Sequence, residues 1–194
     1  MPTQEPQETK QSLRKRLQET RRNTKLSDFD IDQLTKRGLF ELSKTSGDVC
    51  IYMSLPEEPP TKDLINEVRK IGRNVWLPRI NGDDLLWIKN PDSFAHGPFG
   101  IKEPVGEGVL AKEIKNLGAV ILPGLAVDVN GTRLGKGKGF YDRVLSQISE
   151  DVKRIVLLFD LEFILEIPKE SHDMGVHTIA TPYRSIHFTT PDPD

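Results

Sequence analysis

Ala119-Val120-Ile121-Leu122-Pro123-Gly124-Leu125-Ala126-Val127-Asp128, then Arg133-Leu134-Gly135-Lys136-Gly137-Lys138-Gly139-Phe140-Tyr141-Asp142-Arg143, runs from an apolar stretch through a turn into a cationic, glycine-alternating loop. The apolar residues at 119–122 are contiguous rather than alternating, which predicts a strand buried on both faces. Residues 140–148 predict a helix. The loop therefore lies between a strand end and a helix N-terminus, whose dipole adds positive character. Glycine at every second position lets the backbone curl and present its N–H groups on one concave side. Arg133, Lys136, Lys138 and Arg143 add charge. This chemistry suits a polyphosphate, with Asp142 where a divalent cation would help. It is not a G-x-x-x-x-G-K-[ST] loop, and Phe140 stands where the third glycine of G-x-G-x-x-G would fall. Glycine–lysine alternation alone reads equally as a flexible basic surface turn; the strand-to-helix frame favours the anion site.

The same alternation extends outward. Residues 8–22 predict a helix with Leu13 and Leu17 on one face, flanked by Lys10, Arg14, Arg16, Arg21 and Arg22. Ser27 is a plausible N-cap, with Asp30 three residues on, for a helix reaching residue 44. Its face is read as Phe29, Leu34, Leu39, Phe40 and Leu42. Residues 48–54 read as a buried strand and 61–71 as a helix after Pro59-Pro60. Short strands follow at 74–78 and 85–88 around Asn81-Gly82-Asp83. The proline- and glycine-rich stretch 90–108 reads as a long ordered excursion. Beyond the loop come a strand at 154–159, a short helix, and strands at 178–180 and 185–188. Strands alternating with helices give an α/β domain with a largely parallel sheet. Ligands bind beyond the C-terminal strand ends of such sheets, which singles out the loops 55–60, 123–139 and 161 onward.

Length and composition set the outer bounds. At 194 residues the chain is expected to form one domain over 8–194, with 1–7 a disordered tail. A net charge of −2 argues against a general nucleic-acid binder. The lone Cys50 excludes an internal disulfide or a cysteine zinc site and reads as a small buried hydrophobe. His96, His172, His177 and His187 show no metal-ligand spacing and read as structural or exposed. No apolar run is long enough to span a membrane, and the glutamate-bearing N-terminus does not fit a targeting peptide, so the cytoplasm is expected.

Over most of its length the chain resembles the 5-formyltetrahydrofolate cyclo-ligase family, whose members are also called 5,10-methenyltetrahydrofolate synthetases. The resemblance rests on the glycine-loop stretch and on Lys10 with Leu13-Arg14, Met53 and Glu58, and Leu77-Pro78-Arg79. It extends to Gly100-Ile101-Lys102-Glu103-Pro104, and to Ile167-Pro168 leading to His172-Asp173. It implies a three-layer, Rossmann-like fold with a largely parallel, mixed sheet, and a monomer acting on small molecules, with neither nucleic acid nor membrane as partner. The implied reaction converts 5-formyltetrahydrofolate and ATP, with Mg²⁺, to 5,10-methenyltetrahydrofolate, ADP and phosphate. The formyl oxygen attacks the γ-phosphate to give an iminium phosphate, and folate N10 then closes the ring as phosphate leaves.

Carried over by position, Lys10 and Arg14, four apart on one helical face, would reach the ATP phosphates. Arg133, Leu134, Gly135, Lys136, Gly137, Lys138, Gly139, Phe140 and Tyr141 would cradle the triphosphate, with Lys138, Arg133 and Tyr141 as catalytic candidates. Met53, Glu58, Phe99 and Tyr141 would line the folate pocket; Asp142 and Asp173 would hold Mg²⁺. Lys10 with Arg14, Met53, Phe99, Asp142 and Asp173 have plainer readings: a solvated basic helix face, a core methionine, a loop-anchoring aromatic, a helix-start acid and a turn aspartate. Phe99, Val127, Phe140, Glu162 and His177 depart from common family residues without removing a phosphate-binding group. A non-catalytic relative keeping the pocket as a binding module, and a nucleic-acid binder, are the alternatives; the missing aromatic interleaving weighs against the second.

Overall fold

The computed structural model describes residues 8–97, 102–170 and 173–189. Along the chain run α1 (Lys10–Asn23), α2 (Asp28–Ser43), β1 (Asp48–Ile51), α3 (Lys62–Lys70), β2 (Val75–Asn81), β3 (Asp84–Lys89), β4 (Phe94–His96) and β5 (Lys102–Pro104). Then come β6 (Leu117–Leu122), β7 (Ala126–Asp128), β8 (Arg133–Leu134), α4 (Phe140–Leu145), β9 (Lys153–Leu157), β10 (Phe163–Ile164), β11 (Thr178–Ala180) and β12 (Ser185–His187). The expected tail at 1–7 lies outside the described residues.

A seven-stranded sheet in the order β12-β11-β9-β6-β1-β2-β3 forms the centre. Its inner strands are parallel, while β3 and β12 are antiparallel edges. The contiguous apolar runs follow from this placement. Val49, Ile51, Ala119, Ile121, Ile155 and Leu157 fill the core under α2 and α3. Their alternates Cys50, Val120, Leu122 and Val156 fill the core on the other face. Cys50 is fully buried, and burial pushes its thiol pKa up, consistent with a packing role.

α2 opens with the expected capping box between Ser27 and Asp30. Its inward face carries Leu34, Thr35, Gly38, Glu41 and Leu42, and a Cβ on Gly38 would meet Leu64 at 2.9 Å. Phe29 and Phe40 do not belong to that face. They are 63% and 61% exposed, because their positions fall on the far side of the helix from Leu34 and Gly38.

The larger difference lies within 123–139. This stretch is not loop throughout: β7 and β8 pair antiparallel, and β10 joins β7 in parallel, giving a second, three-stranded sheet. Asp128 builds its turn. The buried carboxylate accepts from the backbone N–H groups of Asn130 (2.9 Å), Thr132 (2.8 Å) and Ile167 (3.1 Å). Such short strands, set by side-chain-to-backbone bonds, leave no periodicity to read. α1 packs on this small sheet, burying Leu13 and Leu17 against Leu125, Ala126, Leu134 and Ile167.

His177 is buried, and its Nδ1 accepts the backbone N–H of Arg154 at 3.0 Å. Protonation would set a donor against a donor. Burial first, then Lys153 and Arg154, hold its pKa down to about 4. Because the folded value lies below the unfolded one, the unfolded chain binds the proton first as pH falls. Stability is therefore undiminished by this group above pH ~6.5 and falls by up to about 2 kcal/mol on going to pH 4.5. Denaturation midpoints at pH 7 and 4.5 check this. His177→Asn, whose amide oxygen can still accept, is expected to fall less than wild type; equal falls would contradict it.

Candidate active site

The chain reverses direction across the sheet between β1 and β6. From β1 it proceeds to β2 on one side, and from β6 to β9 on the other. The loops after β1 and β6 thus diverge at a topological switch point, where a crevice forms. A cavity of about 570 Å³ occupies it. All three loops singled out from the sequence contribute: Leu55 and Glu58; Pro123 and Gly124 with the glycine loop; and Glu170 with Asp173.

The loop after β1 is pinned from both ends. Tyr52 Oη donates to Pro59 O (2.6 Å), and Thr61 Oγ1 donates to Tyr52 O (2.8 Å). Leu55 N donates to Glu58 Oε2 (2.9 Å), which fixes that carboxylate at the cavity wall, 7% exposed. Its other oxygen, Oε1, meets Lys136 Nζ at 2.7 Å.

The glycine loop is shaped as its sequence requires. Gly137 (φ +93°) and Gly139 (φ +70°) occupy the left-handed region, and a Cβ on Gly135 would meet Arg133 Nη1 at 2.9 Å. Arg133 is buried beneath, donating to Pro123 O (3.1 Å) and pairing with Asp142 Oδ1 (2.6 Å). α1 stands over the loop: Arg14 Nε donates to Gly135 O (3.0 Å), while Lys10 Nζ pairs with Asp173 (2.6 Å) and Glu170 (3.0 Å).

Two expectations change. The helix after the loop, α4, has only six residues, so its dipole is small and the loop's positive charge is that of its side chains. Arg143 is not among the cavity-lining residues. It donates to Asp83 O, through Nε at 2.8 Å and also through Nη2, and to Lys138 O (3.2 Å), bracing the loop from outside.

Every other site residue expected from the sequence and described here lines the cavity: Lys10, Arg14, Met53, Glu58, 133–141, Asp142 and Asp173. Phe99 lies outside the described residues. Tyr141 sits edge-on to Trp87, with ring centroids 6.5 Å apart. Burial first, then the charge of Glu58, pushes its hydroxyl pKa well up, so it stays protonated and can donate a hydrogen bond. Sequence reasoning missed Tyr52, Pro78, Ile80, Leu85, Glu103 and Glu170. Pro78 and Glu103 fell within recognised motifs but carried no chemical signal. Ile80 and Leu85 reach the cavity only because β2 and β3 form its wall.

Among the described residues, five cationic and five carboxylate side chains line the cavity. Among the described residues no group of three or more His, Cys, Asp or Glu side chains forms a metal cage. Mg²⁺ does not require one, since it is commonly held by one or two carboxylates together with phosphate oxygens. Asp142 and Asp173, hard oxygen donors beside the lysines and arginines of the loop and α1, fit that arrangement. No helix among the described residues is long and apolar enough to cross a membrane.

Comparison with known proteins finds relatives over nearly the whole chain. The 5-formyltetrahydrofolate cyclo-ligase family matches residues 6–182. A 5-formyltetrahydrofolate cyclo-ligase of Mycolicibacterium smegmatis is 33% identical over 186 residues, covering 92% of this chain and 96% of that protein. The Mus musculus enzyme of the same name is 31% identical over 145 residues, 68% of this chain and 71% of its own. The NMR structure of Aquifex aeolicus 5,10-methenyltetrahydrofolate synthetase superposes with a TM-score of 0.75 at 26% identity, covering 95% of each chain.

Proposed function

The chain belongs to the 5-formyltetrahydrofolate cyclo-ligase family, and we propose that its cleft uses ATP to close the folate ring. The enzyme is a 5-formyltetrahydrofolate cyclo-ligase of folate one-carbon metabolism. One observation carries the ATP reading: the cationic glycine loop and the apolar wall of Met53, Leu55, Pro78, Ile80 and Leu85 share a single cavity. A triphosphate and a flat heterocycle can therefore meet there.

The chemistry needs an activator, because an amide oxygen is a poor leaving group. The formyl oxygen of the substrate attacks the γ-phosphorus, and ADP departs. The N10 lone pair then attacks the formyl carbon, phosphate leaves with the former formyl oxygen, and N10 gives up its proton as the imidazolinium ring forms. Lys10, Arg14 and the loop backbone hold the triphosphate; Lys136 and Lys138 counter the charge on the transferring phosphoryl group. Arg133, fixed by Pro123 O and Asp142, holds the loop base in shape. Tyr141, kept protonated, donates a hydrogen bond to a ligand oxygen. Glu58 accepts from ring N–H groups, while Met53 stacks on the ring. Mg²⁺, where bound, would be held by Asp142 and Asp173 together with phosphate oxygens, and supplies charge neutralisation there.

Isotope tracing tests the activated intermediate. Substrate labelled with ¹⁸O in the formyl group is expected to deliver the label to inorganic phosphate. Label released to water instead would exclude phosphorylation of the formyl oxygen.

Asp142→Asn keeps the shape but loses the charge. The Mg²⁺ concentration for half-maximal rate is expected to rise about tenfold or more. A titration identical to wild type would remove Asp142 from the metal site.

A further inference from the structure

We propose that Lys136 couples the two substrates, because one ammonium serves both the phosphate loop and the carboxylate offered to the folate ring. The proposal rests on the reading above and adds an energetic link between its two halves. Lys136 Nζ lies 2.7 Å from Glu58 Oε1, although the two residues come from loops after different strands. The second carboxylate oxygen is committed to Leu55 N at 2.9 Å. Glu58 is almost fully buried, at 7% side-chain exposure, while Lys136 retains 35%, so the ammonium is the partner with room to turn toward the cavity.

This asymmetry sets the sign of the coupling. Glu58 cannot move toward water, so losing Lys136 would leave a buried carboxylate with unmet acceptor capacity on Oε1. A triphosphate in the glycine loop attracts Lys136 more strongly than a single carboxylate does, and draws the ammonium away. The ring N–H donors of a pterin are then the partners that satisfy Glu58. Nucleotide therefore strengthens folate binding, and folate strengthens nucleotide binding by the same factor. The arrangement also favours filling of the folate end when a phosphoryl donor is already present.

The other cleft pairs differ. Arg133 is held by Pro123 O as well as Asp142, and Lys10 bridges Asp173 and Glu170. Those pairs lie within the phosphate end and its metal candidates; the Lys136–Glu58 pair joins the phosphate loop to the residue assigned to the ring.

Equilibrium binding of 5-formyltetrahydrofolate to the full chain tests the link, with and without saturating Mg²⁺ and a non-hydrolysable ATP analogue. For wild type, the analogue is expected to tighten folate binding by about fivefold or more. In Lys136→Met, folate alone is expected to bind more tightly than it does to wild type alone, because Glu58 is already released. The analogue, at a concentration confirmed to saturate the variant, is then expected to change folate affinity by less than about twofold. Removing a positive charge would thus improve binding of an anionic ligand, an outcome general electrostatics does not give. Equal folate affinity with and without analogue in wild type, or coupling undiminished in Lys136→Met, would overturn the proposal. If wild type bound neither ligand, the function itself would fall and not the coupling alone.

Discussion

Lys138→Ala is expected to lower kcat by about 10³-fold while leaving the protein folded. Lys138 lies between two glycines in left-handed conformation, Gly137 and Gly139, and its carbonyl is held by Arg143. Its backbone is thus fixed while its exposed side chain reaches the cavity. Removing an exposed side chain of this kind changes stability by no more than about 0.5 kcal/mol, so the melting temperature is expected to stay within about 1–2 °C of wild type. Lys138→Arg keeps the charge and is expected to recover part of the rate. Near-normal turnover by Lys138→Ala would remove the loop from phosphoryl transfer.

The second large effect concerns stability. Arg21 and Glu162 form a buried two-pronged ion pair, Nε–Oε1 at 2.7 Å and Nη2–Oε2 at 2.6 Å, with side chains 2% and 5% exposed. Arg21 Nη2 also donates to Gly124 O (2.7 Å), and its guanidinium lies 5.3 Å from the centre of the Phe159 ring. The pair ties α1, which carries Lys10 and Arg14, to the turn before β10, and the bond to Gly124 O ties it to the turn after β6. Arg21→Met strands a buried carboxylate and is expected to cost about 3–5 kcal/mol, a fall in melting temperature of roughly 10 °C. Replacing both partners, as Arg21→Met with Glu162→Leu, removes both charges and is expected to recover a good part of that loss. A double variant no more stable than the single one would contradict a charge-based origin.

What the sequence discloses follows from how each feature is encoded. The parallel sheet was legible because both faces of β1, β6 and β9 are buried, so their apolar runs are unbroken. The capping box of α2 was legible because Ser27 and Asp30 bond locally. The glycine loop declared itself through its spacing, since Gly137 and Gly139 take a left-handed backbone that other residues resist. The small β7-β8-β10 sheet was not legible, because its strands are two or three residues long and depend on Asp128 gathering amides from three places. The outward turn of Phe29 and Phe40 follows from helical spacing, which sets both opposite Leu34 and Gly38, whereas apolar character alone assigns them to the inner face. The pairing of Lys136 with Glu58 and of Arg21 with Glu162 joins residues far apart in the chain, and only the fold brings them together.

Formation of the methenyl product from 5-formyltetrahydrofolate, followed by absorbance with and without ATP in the presence of Mg²⁺, is the most direct test. The account predicts product only when ATP is present, with one ADP released per ring closed. Product at the same rate without ATP would contradict the phosphoryl-transfer cleft, and detectable folate or ATP binding without any product would make the chain a pocket-retaining relative instead.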